Sequence, residues 1–67
     1  MVNIADKLKY LRKEKQLTQK ELANICSIEE TTIQRLEYGG KPSLDTVIKL
    51  ADYFEVSVDY LIGRADN

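Results

Sequence analysis

The stretch TQKELANICSIEETTIQRLEYGG, residues 18–40, contains two short helix patterns separated by a tight turn. Thr18 and Glu21 form a T-x-x-E capping box, in which each side chain accepts a hydrogen bond from the other residue's N–H group. The box and the apolar residues that follow it predict a helix over residues 19–26. Two helices joined by so short a turn approach closely only where the residue at their crossing is small, and Ala23 meets that requirement.

The second half of the stretch predicts another short helix, over residues 29–38. Ile33 and Leu36 lie at helical spacing and face inward across the preceding helix. The pair Gly39–Gly40 ends it, because glycine permits a left-handed cap. The spacing of the two helices is that of a helix-turn-helix.

Outside this stretch the sequence predicts three more helices, over residues 4–15, 44–55 and 58–62, with a frayed tail at 64–67. Each begins after a residue suited to an N-cap, namely Asn3, Ser43 and Ser57. The fourth helix has the clearest apolar stripe, formed by Leu44, Val47, Ile48, Ala51 and Phe54. Because every connection is short, we expect one compact all-α domain of five helices over residues 1–67.

The composition excludes several classes of protein. A chain of 67 residues with one cysteine and no histidine offers no disulfide, no metal-ligand spacing and no histidine for nucleophilic catalysis. Cys26 lies on the inward side of the second helix, which favours a core role over a redox switch. No apolar run approaches the roughly 20 residues of a membrane span. We therefore expect a cytoplasmic protein that is not an enzyme and uses no cofactor, metal or membrane.

Charge is distributed unevenly along the chain. The formal net charge is −1, which alone argues against a nucleic-acid ligand. Residues 1–17, however, carry five basic and two acidic side chains, whereas residues 42–67 carry two basic and five acidic ones. Such polarity suits a domain that presents its basic end to a polyanion, although it also fits ordinary solvated helix faces.

Four segments together, LTQKELA, SIEETTIQRLEYG, KPSLDTVIKLADYF and VSVDYLIG, resemble the Cro/phage-repressor (Xre-like) helix-turn-helix family over nearly the whole chain. The resemblance implies a compact five-helix, lambda-repressor-like fold that binds operator DNA. It also implies a symmetric homodimer that represses, or sometimes activates, transcription.

The sequence departs from the family pattern at two positions. Ser27 stands in the turn where the family usually has glycine, and Glu29 stands where it usually has a serine or threonine cap. Ser27 and Glu30 would satisfy an S-x-x-E capping box, which predicts that the third helix begins a residue or two early.

Helical geometry predicts which side chains face DNA. With Ile33 and Leu36 inward, a rotation of 100° per residue turns a mostly neutral or basic face outward. The expected base contacts on this face are Thr31, Gln34 and Arg35. Glu30 lies on the flank of the face, and the family resemblance implies a base contact at its position. The expected phosphate contacts are Gln19, Lys20, Tyr38, Gly40, Lys41 and Ser43, with main-chain N–H groups contributing at Gly40 and Ser43.

The acidic residues of the third helix have separate interpretations. Glu29 and Glu30 suit the positive end of the helix dipole, and Glu30 is also able to accept a hydrogen bond from cytosine N4. Glu37 points nearly inward, where an unpaired carboxylate is costly. The family resemblance implies that Arg12 pairs with it.

The last third of the chain holds apolar residues that so small a domain is not expected to bury alone. The candidates for a dimer interface are Tyr53, Val56, Tyr60 and Ile62. The alternative function is a protein-interaction module that keeps the fold and binds a regulatory protein, with little or no DNA affinity. Arg35, Gln34 and Gln19 favour DNA, since a protein-binding face would gain exposed aromatic residues.

Overall fold

The computed structural model describes residues 4–64, and within them it contains five helices and no strand. The helices are α1 (Ile4–Glu14), α2 (Gln19–Cys26), α3 (Glu30–Glu37), α4 (Leu44–Phe54) and α5 (Val58–Leu61). The predicted all-α fold class is confirmed. Helices α1, α4 and α5 end one residue earlier than their patterns predict, and α3 is one residue shorter at each end. The expected Asn3 cap and residues 65–67 of the expected tail lie outside the described residues.

Side-chain caps fix where three of the helices begin. The Thr18 hydroxyl accepts from the Glu21 N–H group at 3.0 Å, and the Glu21 carboxylate accepts from the Thr18 N–H group at 2.8 Å. Ser43 and Ser57 accept from N–H groups in the first turns of α4 and α5, at 3.2 and 3.0 Å. Each such cap contributes about 1 kcal/mol.

The entry of α3 differs from the expectation. Ser27 does not form a capping box with Glu30: it is the C-cap of α2, with left-handed dihedrals of φ 57° and ψ 44°. The Ile28 N–H group donates to the Ala23 carbonyl at 2.9 Å, closing the end of α2. Glu29 is the N-cap of α3 without a side-chain capping bond, so α3 begins at Glu30. The end of α2 takes Ser27, which is therefore unavailable to start α3.

Replacing Ser27 with glycine is expected to raise the free energy of unfolding by about 0.5 to 1 kcal/mol, because a left-handed serine is strained and glycine is not. Urea denaturation of the two proteins measures the difference. The control is Ser43→Gly, where φ is −80° and the side chain caps α4, so that glycine should lower stability slightly. If Ser27→Gly is no more stable than the wild type, the left-handed serine is not strained.

The core lies where α2 and α3 cross and is closed by the other helices. Ala23, only 2% exposed, allows the close approach of α2 and α3. Six large side chains are fully buried, at least one from each helix: Leu8, Leu22, Ile33, Leu36, Leu50 and Leu61.

The stripe of α4 is only partly buried. Val47, Ala51 and Phe54 lie in the core as predicted, but Leu44 is 71% and Ile48 43% exposed. Leu44 and Ile48 thus have the spacing of the apolar stripe, but the fold does not bury them. Both side chains lie on the same edge of α4, one turn apart, and the neighbouring helices leave that edge uncovered.

Candidate nucleic-acid interface

The outward face of α3 carries polar side chains in a continuous group. The four expected base contacts, Glu30, Thr31, Gln34 and Arg35, are all exposed. Glu30 and Gln34 are four residues apart, as are Thr31 and Arg35, so the two pairs form neighbouring rows on the exposed side of α3. Tyr38 follows at the end of α3 with 95% of its surface exposed. A groove about as wide as a helix could contact all of them at once.

Three members of this face make side-chain hydrogen bonds within the chain. The Arg35 Nη1 group donates to the main-chain carbonyl of Lys41 at 2.9 Å, so its side chain lies along the α3–α4 loop. The Gln34 amide donates to the Glu30 carboxylate one turn earlier, at a long 3.5 Å. The second bond is weak enough to exchange for a base edge. Arg35 is held more firmly.

A buried ion pair sets the position of α3 against α1. Arg12 Nε donates to Glu37 Oε2 at 2.6 Å, and Arg12 Nη2 donates to Glu37 Oε1 at 3.0 Å. The side chains are 13% and 4% exposed. The hydrogen bond to Glu37 raises the pKa of Arg12 above its ordinary value, while burial acts in the opposite direction. The guanidinium is therefore charged at neutral pH.

The same pair reaches the start of α2. Arg12 Nη1 donates to the Leu17 carbonyl at 2.7 Å, and the Gln19 amide donates to Glu37 Oε1 at 3.1 Å. Gln19 is consequently half-buried, with its amide directed toward the end of α3. This network fixes α1, the start of α2 and the end of α3 as one frame, from which the exposed face of α3 projects.

The expected phosphate contacts fall into two groups. Lys20, Tyr38, Lys41 and Ser43 are exposed, and Ser43 additionally caps α4. The N–H group of Gly40, by contrast, donates to the Arg35 carbonyl at 2.8 Å. The end of α3 already uses this N–H group, and its expected contact with a phosphate stays a prediction.

The expected dimer residues pack largely against their own domain. All four are half-buried, and Tyr53, Val56 and Ile62 contact the core. The Lys7 ammonium lies 3.9 Å from the centre of the Tyr60 ring, and the Lys15 ammonium 5.3 Å from that of Tyr53. These cation–π contacts were not predicted, since nothing in the sequence pairs lysines of the first helix with tyrosines of the last third. The large apolar side chains left exposed on α4 are instead Leu44 and Ile48.

Cys26 is a buried free thiol. Burial raises the pKa of the thiol, and the charge of Lys49 offsets this only in part. A thiol in such surroundings is a poor nucleophile. Across residues 4–64, no three His, Cys, Asp or Glu side chains gather where they could hold a metal ion. No helix in the same range is long and apolar enough to cross a membrane.

The arrangement of α2 and α3, with an exposed polar face on α3, can be compared with known proteins. A helix-turn-helix family model, HTH_3, matches residues 8–61. The chain belongs to this family. The resemblance to Cro and phage repressors found in the sequence is thereby confirmed.

Named relatives are transcription regulators. The chain is 39% identical to the uncharacterized HTH-type transcriptional regulator YobD of Bacillus subtilis, over 91% of this chain and 55% of the relative. It is 34% identical to RstR, the transcriptional repressor of the cryptic phage CTXphi in Vibrio cholerae, over 94% of this chain and 57% of the relative. The chain thus spans little more than half the length of these relatives.

A solved structure supports the fold independently. The crystal structure of a transcriptional regulator from Listeria innocua superimposes with a TM-score of 0.82 at 31% identity. The match covers 96% of this chain and 61% of the regulator. The five helices therefore have the arrangement found in a transcriptional regulator.

Proposed function

We propose that this chain binds double-stranded DNA in a sequence-specific manner and represses transcription, with α3 in the major groove. The observation that carries the proposal is the exposed face of α3, which stands on a frame fixed by the buried Arg12–Glu37 pair. Helix-turn-helix proteins place such a second helix in the major groove. The name of the relative RstR supports repression rather than activation.

The chemistry of the four side chains suggests how bases are read. Arg35 suits the O6 and N7 acceptors of guanine, and Gln34 suits N6 and N7 of adenine. Thr31 is able to contact a thymine methyl group, and Glu30 is able to accept from cytosine N4. Each side chain thus matches a base edge, three of them through hydrogen bonds and Thr31 through an apolar contact.

Phosphate contacts would come from the two ends of this surface. Lys20 lies in the first turn of α2, whereas Tyr38, Lys41 and Ser43 follow the end of α3, and all four are exposed. The Gln19 amide donates one N–H to Glu37 and has a second N–H with which it would donate to a phosphate. Such contacts fix the register of α3 without reading sequence.

The acidic residues at the start of α3 favour discrimination between DNA sequences over high affinity for any DNA. Glu29 and Glu30 are exposed at the positive end of the helix dipole. The Glu29 side chain makes no capping hydrogen bond. Carboxylates near phosphates repel DNA unless a base donor satisfies one of them. Non-specific binding should therefore be weak and the specific site strongly preferred.

We propose that two copies bind an inverted repeat as a homodimer. Leu44 and Ile48 form an exposed apolar edge on α4, and Leu44 directly follows Ser43, a proposed phosphate contact. A second copy covering this edge would lie beside the DNA, where two α3 helices could enter the groove about 34 Å apart. Sedimentation of the complex should give two chains per duplex. Leu44→Lys should bind the two half-sites independently, so that complexes with one chain per duplex appear at protein concentrations where the wild type forms only the complex with two.

Arg35→Ala is expected to weaken binding to the preferred duplex by about 1 to 3 kcal/mol and to relax the preference at one base pair. Fluorescence anisotropy at several salt concentrations measures both effects. The logarithm of the wild-type affinity should fall against the logarithm of salt with a slope of about 0.9 per neutralised phosphate.

The matched control is Arg64→Ala, which removes the same charge from an exposed arginine beyond α5. This variant should keep the base preference and change affinity only slightly. Equal losses in the two variants would mean that Arg35 acts through charge alone and does not read a base.

A further inference from the structure

The end of α3 uses two adjacent glycines, only one of which its backbone conformation explains. Gly39 has a φ of 118°, which side chains rarely adopt, and its N–H group donates to the Leu36 carbonyl at 3.2 Å. Gly40 donates to the Arg35 carbonyl at 2.8 Å, completing the helix-ending motif. The φ of Gly40 is not positive, so its lack of a side chain needs another reason.

That reason is the position of Arg35. A Cβ atom built on Gly40 would lie 2.7 Å from Arg35 Cγ, 2.9 Å from Arg35 Nη1 and 3.0 Å from the Arg35 carbonyl oxygen. The stem of Arg35 therefore crosses directly over Gly40 before its guanidinium reaches the Lys41 carbonyl at 2.9 Å. Any larger residue at position 40 would displace the arginine.

We propose that Gly40 is a positioning residue for base reading: it lets Arg35 lie across the α3–α4 loop, where the Lys41 carbonyl holds the guanidinium. This inference rests on the proposed function, in which Arg35 contacts a base. A guanidinium has five N–H donors, and the bond to Lys41 uses one. The remaining donors are enough for the two acceptors of guanine.

The contact also joins two parts of the interface. Lys41 belongs to the loop of proposed phosphate contacts, and Arg35 belongs to the proposed base-reading face. A side chain already held in place loses less conformational freedom on binding, so part of the ordering cost is met before DNA arrives. Bound phosphates that fix the loop would at the same time fix Arg35.

Gly40→Ala is expected to weaken binding to the preferred duplex about tenfold and to reduce the preference at the base pair read by Arg35. In an Arg35→Ala background the same change should cost less than about threefold, because only the contact with the carbonyl oxygen remains. Anisotropy titrations of the four proteins in this cycle provide the measurement, and circular dichroism checks that each is folded.

The matched control is Gly39→Ala. Nothing lies within 4 Å of a Cβ atom at Gly39, but its φ of 118° makes alanine strained there. This variant should lose stability and keep the base preference. It therefore distinguishes an effect of backbone strain in the loop from an effect of displacing Arg35.

A second measurement uses the wild-type chain without DNA. The NMR heteronuclear NOE of the Arg35 Nε–H group should approach that of the helix backbone, whereas that of exposed Arg64 should be far lower. Equal mobility of the two arginines would overturn the proposal even if Gly40→Ala does not fold. Equal losses from Gly40→Ala in both backgrounds would overturn it while leaving the proposed function intact. A wild-type chain that prefers no DNA sequence would overturn both.

Discussion

Arg12→Ala is expected to lower the free energy of unfolding by about 3 kcal/mol or more, because it leaves the Glu37 carboxylate buried without its charged partner. Glu37 keeps only the Gln19 amide as a hydrogen-bond donor from this network. The variant also frees the Leu17 carbonyl, which accepts from Arg12 at 2.7 Å. Urea denaturation measures the loss. A domain of this size has a total stability of only about 3 to 10 kcal/mol, so this loss removes roughly a third of it or more.

Two further variants test whether burial is the cause. The double variant Arg12→Met/Glu37→Leu removes both charges and should recover much of the stability, because no unpaired group remains. Lys49→Ala breaks the exposed pair with Asp45, which spans 3.4 Å on the surface of α4, and should cost less than about 0.5 kcal/mol. Similar losses for Arg12→Ala and Lys49→Ala would contradict the account of a buried pair.

Leu50→Ala should destabilise the domain by about 2 to 5 kcal/mol, because the side chain is fully buried in the core and its removal leaves a cavity. Thermal and urea unfolding monitored by circular dichroism give the difference. The control is Ile48→Ala on the same helix, where the side chain is 43% exposed and about 1 kcal/mol or less should be lost. If Leu50→Ala loses less stability than Ile48→Ala, Leu50 does not lie on the buried side of α4.

Most of the fold was predictable from patterns that span only a few residues. The capping box at Thr18 and the caps at Ser43 and Ser57 mark helix starts because they act within a single turn. Apolar spacing identified the buried sides of α2 and α3 for the same reason. These signals require no knowledge of distant parts of the chain.

Features that depend on neighbouring helices could not be predicted in this way. Leu44 and Ile48 fit the apolar stripe of α4, and only the packing decides that this edge stays uncovered. Ser27 and Glu30 fit a capping box, but the end of α2 competes for Ser27 and holds it in a left-handed conformation. In both cases the residues fit the local pattern, but the packing of the chain around them determined which role they take.

The candidate site was predictable to a similar degree. Counting 100° per residue from Ile33 and Leu36 located the exposed face of α3. The contact of Arg35 with the Lys41 carbonyl could not be found from periodicity, because it involves a loop. The second glycine of the pair was the available signal, since one glycine is enough to end a helix.

The central claim is that this chain recognises a particular DNA sequence. Selection from a pool of randomised duplexes, followed by sequencing of the bound fraction, tests it most directly. For the wild type we expect enrichment of an inverted repeat whose half-sites lie about one helical turn apart. For Arg35→Ala we expect the same repeat, except that one base pair in each half-site is no longer selected. No enriched sequence at low salt, with Arg35→Ala indistinguishable from wild type, would contradict the claim and favour a protein-interaction module on the same fold.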